Sequence, residues 1–395
     1  MPISQKVREN LNRSSWIRKM FEEGDRLRRE LGPDAVFDYS LGNPDIEPPA
    51  EFRAALRSLA ENPQPGMHRY MSNAGYPETR AAVARCLAAE SGLPVTAEHI
   101  VMTCGAGGAL NVFLKTLLNP GEEVIVVAPY FVEYGFYIDN HGGRMTVVQS
   151  DGRFQLDLDA LARAITPYTR ALIINSPNNP TGAVYPAEAL AALDKLLAVK
   201  ENEYGTEIYV ISDEPYAKLV YDGVKVPPVF PLLRRSLIAT SHSKDLALAG
   251  ERIGYAAVNP RLPDAAEICA GMIFSNRILG FVNAPAMMQR LVGPLQGRVT
   301  GIEVYKEKRD ILVAHLTSLG FDLIVPAGAF YLFPKSPLPD DVAFVQKAIK
   351  YGLLLVPGSG FGRPGHFRLA YSVPKEMILR SLSVFTALAK EIGLT

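Results

Sequence analysis

The chain has 395 residues, of which 48% are hydrophobic, and its 41 basic residues are balanced by 41 acidic ones. This length is too great for one ordinary hydrophobic core, so we expect a large domain with a smaller one beside it. The net charge of zero gives no reason to expect nucleic acid or an anionic membrane as a partner, and small molecules are the expected ligands.

The N-terminal segment and the cysteines indicate a cytoplasmic protein. Residues 1–30 are highly charged and lack an apolar segment, so we expect no signal peptide. The sequence contains no apolar run of about 18 residues, so no transmembrane helix is predicted. Cys86, Cys104 and Cys269 are far apart and odd in number, which fits a reducing cytosol better than a disulfide framework or a zinc site. The histidines form no HxxxH or HExxH pair, so no catalytic metal is expected.

Residues 100–258 alternate short apolar runs with helical patterns. Continuous apolar runs such as 124–127 and 208–211 are typical of strands buried on both faces, and the alternation predicts an α/β fold. The predicted strands are 100–103, 123–128, 145–149, 171–175, 208–212, 237–241 and 253–258. The predicted helices between them are 107–118, 131–141, 158–165, 187–203 and 265–277.

Residues 296–395 follow a different pattern, which predicts a small α+β domain. The predicted elements are a helix at 302–319, strands at 322–325 and 329–333, a helix at 341–351, strands at 353–356 and 367–371, and a helix at 375–392. Residues 1–45 are expected to pack against this domain, which leaves 46–295 as the large domain. The predicted fold is therefore α/β, with a mostly parallel seven-stranded sheet between helices and a smaller α+β domain built from both chain ends.

Lys244 is the first candidate for chemistry. A lysine after a strand is usually a solvated surface residue, but this one follows the apolar run 237–240 and precedes the apolar residues 246–249. A lysine in such a pocket can have a lowered pKa and act as a Schiff-base nucleophile. Arg252, eight residues further on, can supply the fixed cation that a phosphate group needs.

A glycine-rich segment, Gly105-Ala106-Gly107-Gly108, follows the strand at 100–103 and opens a helix. Exposed N–H groups at a helix start, with no Cβ in the way, form an anion cradle. The alternative is a dinucleotide site, which needs G-x-G-x-x-G and an acidic residue at the end of the next strand. The glycine spacing here differs and that strand ends in Ala128-Pro129, so the dinucleotide interpretation is the weaker one.

Two polar segments follow predicted strands. Residues 175–182 (NSPNNPTG) come directly after one strand, and Asp213 stands at the end of another. The Asn- and Pro-rich composition of residues 175–182 would by itself also explain an ordinary turn. A strand-end aspartate often only caps the next turn. However, open α/β sheets build their sites at the carboxyl ends of strands. We therefore expect Asp213, Asn179 and Lys244 to converge at one edge of the sheet.

These motifs together resemble those of the class I aminotransferases, fold type I enzymes that use pyridoxal phosphate. The resemblance extends from Leu41-Gly-Asn-Pro-Asp45 to Arg368-Leu-Ala-Tyr-Ser372. It depends on the order and spacing of Asn-Pro-Thr-Gly, Asp-Glu-Pro-Tyr and Ser-x-Ser-Lys-x7-Arg. The resemblance implies an enzyme that moves an amino group between an L-amino acid and a 2-oxo acid.

The resemblance implies roles for residues around the cofactor. Lys244 would hold pyridoxal phosphate as a Schiff base and, once freed, move a proton between the substrate α-carbon and the cofactor. Asp213 would keep the pyridine nitrogen protonated, which makes the ring an electron sink. Asn179 and Tyr216 would bind the ring 3-hydroxyl oxygen. The stacking aromatic would be Phe131 rather than its neighbour Tyr130.

Phosphate and substrate contacts follow from the same resemblance. Arg368 would bind the substrate α-carboxylate through its planar fork, with help from Asn179, and Gly42 would lie in a mobile loop that closes over substrate. Tyr70 resembles a tyrosine that reaches the phosphate of the neighbouring subunit, which implies a homodimer with shared active sites. Its alternative is a half-buried aromatic in a Gly/Pro-rich loop. The phosphate itself would contact Ala106, Gly107, Ser241, Ser243 and Arg252.

The substrate side chain and the reaction type stay open. A dicarboxylic substrate needs a second cation, which some family members supply at the position of Gly107 and others from the partner subunit. Arg277 lies near the second position, but its offset differs by a residue and a surface role explains it equally well. Small neutral, branched and aromatic donors also remain open.

The same scaffold serves β-elimination lyases acting on C–S bonds. A non-enzymatic regulator is disfavoured, because the motif at 41–45 begins too early to leave room for a DNA-binding head.

Overall fold

The computed structural model of the protein describes residues 2–12 and 16–394. The strands are β1 (Phe37–Asp38), β2 (Ile100–Thr103), β3 (Glu123–Ala128), β4 (Arg144–Gln149), β5 (Thr169–Asn175), β6 (Tyr209–Asp213), β7 (Ser236–Ser241), β8 (Gly254–Val258), β9 (Tyr331–Leu332), β10 (Leu353–Leu354), β11 (Val356–Pro357) and β12 (Phe367–Ala370). The helices are α1 (Gln5–Asn12), α2 (Trp16–Leu31), α3 (Ala50–Glu61), α4 (Pro77–Ser91), α5 (Gly105–Leu117), α6 (Tyr134–Asn140), α7 (Leu158–Ala164), α8 (Ala187–Tyr204), α9 (Val229–Leu232), α10 (His242–Asp245), α11 (Ala265–Ile278), α12 (Ala286–Val292), α13 (Ile302–Ser318), α14 (Asp341–Lys350) and α15 (Lys375–Glu391).

Seven strands form the main sheet in the order β2-β8-β7-β6-β5-β3-β4. Only β8 runs antiparallel to its neighbours β2 and β7, and the other pairs are parallel. Alternate side chains of each central strand enter different hydrophobic clusters. In β3, Ile125 and Val127 enter one cluster, whereas Val124 and Val126 enter the other. Both faces are therefore buried under helices, which confirms the predicted mostly parallel sheet.

The parallel strands bring four chain positions to one edge of the sheet. Strands β3, β5, β6 and β7 are neighbours, and they end at Ala128, Asn175, Asp213 and Ser241. In the register between β5 and β6, Asn175 lies opposite Asp213. Because the carboxyl ends of parallel strands meet at the same edge, polar residues that are distant in sequence become neighbours there.

Capping residues explain where several helices begin and end. Asp340 accepts hydrogen bonds from the backbone N–H groups of Val342 and Ala343, which stabilises the start of α14. At the C-terminal end of α8, Gly205 takes the left-handed conformation (φ +65°), which a residue with a Cβ adopts less readily. These local signals are why the predicted bounds of both helices lie within a residue of the observed ones.

The two chain ends form a second, smaller unit. Strand β1 pairs in parallel with β10, while β11, β12 and β9 form an antiparallel sheet. Phe37 and Tyr39 from the N-terminal segment share a hydrophobic cluster with Phe344 and Phe385. This confirms the predicted α+β unit built from N- and C-terminal segments. The boundaries placed after residues 45 and 295 stay predictions.

The sequence was misleading at three places in this smaller unit. The strand predicted at 322–325 is wrong: this segment pairs with no strand among the described residues, and Ile324 and Val325 are 41% and 52% exposed. The strand predicted at 353–356 is divided between β10 and β11, because its two halves pair with different sheets. Only Tyr331–Leu332 of the strand predicted at 329–333 is paired.

Across the described residues, no helix has the length and apolarity needed to cross a membrane.

Candidate active site

A cleft of about 300 Å³ opens at the carboxyl edge of the main sheet. Its walls come from the strand ends, the start of α5, the turn after β7 and the smaller unit. The cleft brings together the residues that the sequence predicted for cofactor and substrate, with Tyr70 as the exception: Gly42, Ala106, Gly107, Phe131, Asn179, Asp213, Tyr216, Ser241, Ser243, Lys244, Arg252 and Arg368.

Lys244 lies on the short helix α10, which begins directly after β7. Its Nζ donates a hydrogen bond of 2.7 Å to the carbonyl oxygen of Gly42 and lies 5.2 Å from the ring centroid of Phe330. Burial, together with the nearby charges of Arg368 and Arg252, lowers the pKa of the Lys244 amine to about 8. Near neutral pH this amine therefore has far more of its nucleophilic neutral form than an ordinary lysine.

Asp213 is a buried carboxylate at the end of β6. Its Oδ2 accepts a hydrogen bond of 2.5 Å from the Tyr134 hydroxyl, whereas its buried Oδ1 has no partner among the described residues. Burial raises the pKa of this carboxyl to about 7, and the Tyr134 hydrogen bond opposes that rise only in part. A cationic N–H donor against Oδ1 would compensate the charge, so the residue fits a protonated pyridine nitrogen.

The raised pKa predicts a pH effect on the stability of the cofactor-free protein. Between about pH 4 and 7 folded Asp213 keeps a proton that the unfolded chain releases, so the free energy of unfolding falls as pH rises through this window. Asp213→Asn should remove that contribution, which is on the order of 2–4 kcal/mol. Urea unfolding of both proteins at several pH values measures it. Parallel pH profiles for the variant and the parent would contradict the prediction.

The start of α5 forms a cradle for an anion. Gly105 has φ +73°, a conformation that favours glycine, and a Cβ there would lie 3.1 Å from the Arg252 guanidinium. A Cβ on Gly254 would overlap the Thr240 carbonyl oxygen and lie 3.0 Å from Gly105. The two glycines therefore permit a close approach of the helix start, β8 and Arg252. The first N–H groups of α5, together with this guanidinium, fit a phosphate group.

Arg368 is a cation buried on β12, and only 2% of it is exposed. It donates hydrogen bonds to Asn179 Oδ1, at 3.1 Å, and to the carbonyl oxygen of Ser40, while its Nε has no partner among the described residues. The guanidinium also lies 4.8 Å from the ring centroids of Tyr331 and Phe361. No carboxylate pairs with it in the part of the chain that the structure describes, so an anionic ligand group fits there.

The structure adds residues that sequence reasoning missed. The Tyr331 hydroxyl lies 2.7 Å from that of Tyr216, and Tyr134 holds Asp213. Asn175 donates to the Asp213 carbonyl oxygen and accepts a hydrogen bond from the backbone N–H of Asn179. Asn175 stood inside a recognised motif. Tyr331 and Tyr134 had no distinguishing signal in the sequence, because their partners lie far away along the chain.

Gly42 is required by a close approach to Tyr331. A Cβ at position 42 would overlap the Tyr331 hydroxyl. We expect Gly42→Ala to move either the loop or the tyrosine and to weaken amino-acid binding by about 1–3 kcal/mol, the usual range for inserting a methyl group into a packed site. Spectral titration with amino acids measures this change. Gly152→Ala is the control, since a Cβ there meets nothing within 4 Å, and equal affinities for both variants would contradict the prediction.

The predicted residue Tyr70 and the open candidate Arg277 both lie outside the cleft. Tyr70 is 88% exposed, so the alternative of a half-buried loop aromatic is wrong, and it lines a separate surface cavity with residues such as Phe281 and Asn283. Arg277 is exposed, and its guanidinium lies 5.4 Å from the ring centroid of Phe274. Among the described residues, no group of three or more His, Cys, Asp or Glu side chains is placed to hold a metal ion.

Comparison with known proteins identifies the family. The family model described as aminotransferase class I and II matches residues 35–385. The chain belongs to the class I and II aminotransferases. This aminotransferase is 36% identical over 367 residues to the aspartate/prephenate aminotransferase of Thermus thermophilus, covering 91% of this chain and 92% of that protein. It is 32% identical over 363 residues to a probable aspartate aminotransferase of Methanocaldococcus jannaschii, with 90% and 93% covered.

Solved structures agree with the sequence relatives. An aminotransferase from Eubacterium rectale superimposes on this aminotransferase with a TM-score of 0.95 at 39% identity, covering 99% of both chains. The aspartate aminotransferase of Thermus thermophilus with maleate gives a TM-score of 0.85 at 32% identity, covering 98% of this chain and 100% of that one. The predicted family, fold and transaminase activity are thereby confirmed, and pyridoxal phosphate is the cofactor that the family implies.

Proposed function

We propose that this aminotransferase binds pyridoxal phosphate in the cleft and uses the predicted residues to move an amino group between an L-amino acid and a 2-oxo acid. One observation carries the proposal: a lysine of lowered pKa, a buried carboxylate with an unpaired oxygen and an anion cradle line the same cleft. When bound, pyridoxal phosphate supplies an electron-withdrawing ring that stabilises negative charge on the substrate α-carbon.

The residues around the cradle would hold the phosphate. The N–H groups of Ala106 and Gly107 lie in the first turn of α5, where the helix dipole favours an anion. The buried residues Ser241 and Ser243 add hydroxyl donors, and Arg252 adds a fixed positive charge. Together these groups would fix the end of the cofactor that takes no part in the chemistry.

The opposite wall would orient the ring. Asp213 would hold a proton on the ring nitrogen through its unpaired Oδ1. Phe131, which lines the cleft edge-on to Tyr134, would stack on the ring. Asn179 uses its Oδ1 for Arg368, so its amide N–H₂ can donate to the ring hydroxyl oxygen, as can the Tyr216 hydroxyl.

Lys244 would carry out the proton transfer. With a pKa of about 8 its amine can both accept and release a proton near neutral pH, which is the property that a general acid–base group requires. The hydrogen bond to the Gly42 carbonyl oxygen orients Nζ within the cleft. Lys244 would therefore remove the proton from the substrate α-carbon and deliver it to the C4′ carbon of the cofactor.

Arg368 would bind the α-carboxylate, with Asn179 beside it. Among the described residues, the cationic side chains that line the cleft are Lys244, Arg252 and Arg368, and each already has a proposed partner. A second carboxylate on the substrate would therefore need a cation from outside these residues. The names of the relatives make aspartate and prephenate the first compounds to compare with neutral, branched and aromatic partners.

Absorption spectroscopy of the purified protein tests the proposal. The band of the lysine-bound cofactor should shift to that of the aminated cofactor when the right amino acid is added, and a 2-oxo acid should reverse the shift. The panel of amino acids identifies the donor class in the same experiment. Absence of any cofactor band after incubation with pyridoxal phosphate would contradict cofactor binding. Ammonia release without an acceptor would indicate a lyase instead.

Tyr70 supports the proposal of a homodimer with shared sites, since it is highly exposed and lies outside the cleft of its own chain. Hybrid dimers test this. A hybrid of Lys244→Ala and Tyr70→Ala subunits should regain activity, because one of its sites combines Lys244 with Tyr70 of the partner subunit. Neither homodimeric variant should match it. A hybrid no more active than the parental variants would contradict a shared site.

The cytoplasmic location also stays a proposal. Cys86, Cys104 and Cys269 form no disulfide bond. Unpaired cysteines suit a reducing compartment and support the proposed location.

A further inference from the structure

A second cavity is lined by His242 and Asp245 of α10, the short helix that carries Lys244. Its volume is about 510 Å³, which exceeds the roughly 300 Å³ of the active-site cleft. Pro215 lines both cavities, so the segment that follows Asp213 separates them. No residue to which we assign a cofactor or substrate contact lines the second cavity. Cavities of this size hold small organic molecules in many proteins.

One wall of the second cavity is apolar. Such a wall favours a ligand with a carbon skeleton, because the skeleton leaves water when it binds. The apolar wall is formed by Leu87, Val220, Val224, Val226, Pro227, Pro228 and Tyr255.

Asp245 also lines the cavity, and its buried carboxylate is paired through Oδ2, whereas its Oδ1 has no hydrogen-bond partner among the described residues. Lys218 Nζ lies 3.4 Å from its Oδ2, and His242 Nδ1 lies 3.2 Å from the same oxygen. Gln296 Nε2 contacts His242 Nε2 at 3.1 Å and also donates to the carbonyl oxygen of Val292. The Lys218 ammonium and a ring nitrogen of His242 therefore both lie against the same oxygen of the Asp245 carboxylate.

Glu214 is half-buried and, unlike Asp245, has no ion-pair partner among the described residues, although the nearby charge of Lys218 lowers its pKa to some extent. Its Oε1 accepts a hydrogen bond of 2.7 Å from the Ser212 hydroxyl, but it forms no ion pair within residues 2–12 and 16–394. Burial raises the pKa of this carboxyl to about 7, and the Ser212 hydrogen bond opposes the rise only in part. A half-buried carboxylate that has no ion-pair partner can still gain from a cationic ligand.

The remaining charges favour the same sign of ligand. Three carboxylates and two lysines line the cavity, and one of those lysines, Lys218, is already paired with Asp245. Glu90 and Lys225 are exposed, so water screens both. A carboxylate on the ligand would meet Glu90, Glu214 or Asp245 without an available buried cation, whereas an ammonium group would meet Glu214.

We propose that the second cavity binds a small organic ammonium compound that carries no carboxylate. Its nitrogen contacts the Glu214 carboxylate, and its carbon skeleton lies against the wall of valines and prolines. The ligand therefore occupies the side of the Asp213–Tyr216 segment that faces away from the cofactor cleft.

Isothermal titration calorimetry of the cofactor-loaded protein tests the proposal with two matched probes. N,N-dimethyl-2-phenylethylamine is cationic and, as a tertiary amine, forms no Schiff base with the cofactor. 2-Phenylethanol has the same apolar body and no charge. We expect saturable binding of the amine, at least about tenfold tighter than that of the alcohol. No saturable heat with the amine, or equal affinities for the two probes, would overturn the proposal.

Three variants locate the bound amine. Glu214→Gln keeps the size of the side chain and an acceptor for Ser212, so it should weaken the amine at least about tenfold and leave the alcohol unchanged. Val224→Phe should fill the cavity and remove binding of both probes, which tests the site even if Glu214→Gln does not fold. Glu90→Gln, at the exposed rim, should change the amine affinity by less than about threefold. Amine binding unaffected by both Glu214→Gln and Val224→Phe overturns the assignment.

Discussion

Lys244→Ala is expected to abolish transamination while the protein stays folded. Lys244 is the amine of lowered pKa in the cleft, and its Nζ makes one hydrogen bond, to the Gly42 carbonyl oxygen. Its removal deletes both the nucleophile and the general base, so we expect a loss of turnover of at least about a thousandfold. Single-turnover kinetics with an amino acid measure the loss, and thermal unfolding checks the fold.

Lys195→Ala is the matched control for this experiment, because Lys195 is exposed on α8 and does not line the cleft. The control should retain full activity, which separates a lost catalytic amine from a general effect of removing a lysine. Turnover in Lys244→Ala within about tenfold of the parent would sink the assignment of Lys244 as the proton-transfer group.

Arg368→Lys is expected to weaken amino-acid binding by on the order of 2–5 kcal/mol. The guanidinium is buried, donates to Asn179 and Ser40, and has no carboxylate partner among the described residues. Lysine keeps the positive charge but lacks the planar fork, so a substrate carboxylate would lose its paired hydrogen bonds in a buried place. The dissociation constant from spectral titration should therefore rise by at least about thirtyfold.

The binding of pyridoxal phosphate provides the internal control, since Arg368 is not among the residues assigned to the phosphate or the ring. The affinity for the cofactor should stay within about threefold of the parent. If Arg368→Lys bound amino acids as tightly as the parent, the carboxylate site would have to lie elsewhere. Equal weakening of cofactor and amino acid would indicate a structural effect of the change instead of a lost carboxylate contact.

The sequence by itself determined the main sheet and the chemistry at its edge. Strands β2 and β3 have their predicted bounds, because uninterrupted apolar runs between turn residues have few alternatives to a buried strand. Once the strands are parallel, their carboxyl ends meet at one edge. Asp213 and Lys244, which end or directly follow two adjacent strands, were therefore predictable as neighbours.

Only the tertiary structure decided the contacts between distant segments. Tyr331 meets Tyr216, and Arg368 meets Asn179, because the smaller unit packs across the edge of the main sheet. The apolar segment at 322–325 has a local pattern that suits a strand, but it pairs with no strand among the described residues. Local periodicity specifies elements and their ends, whereas packing between elements determines which side chains touch.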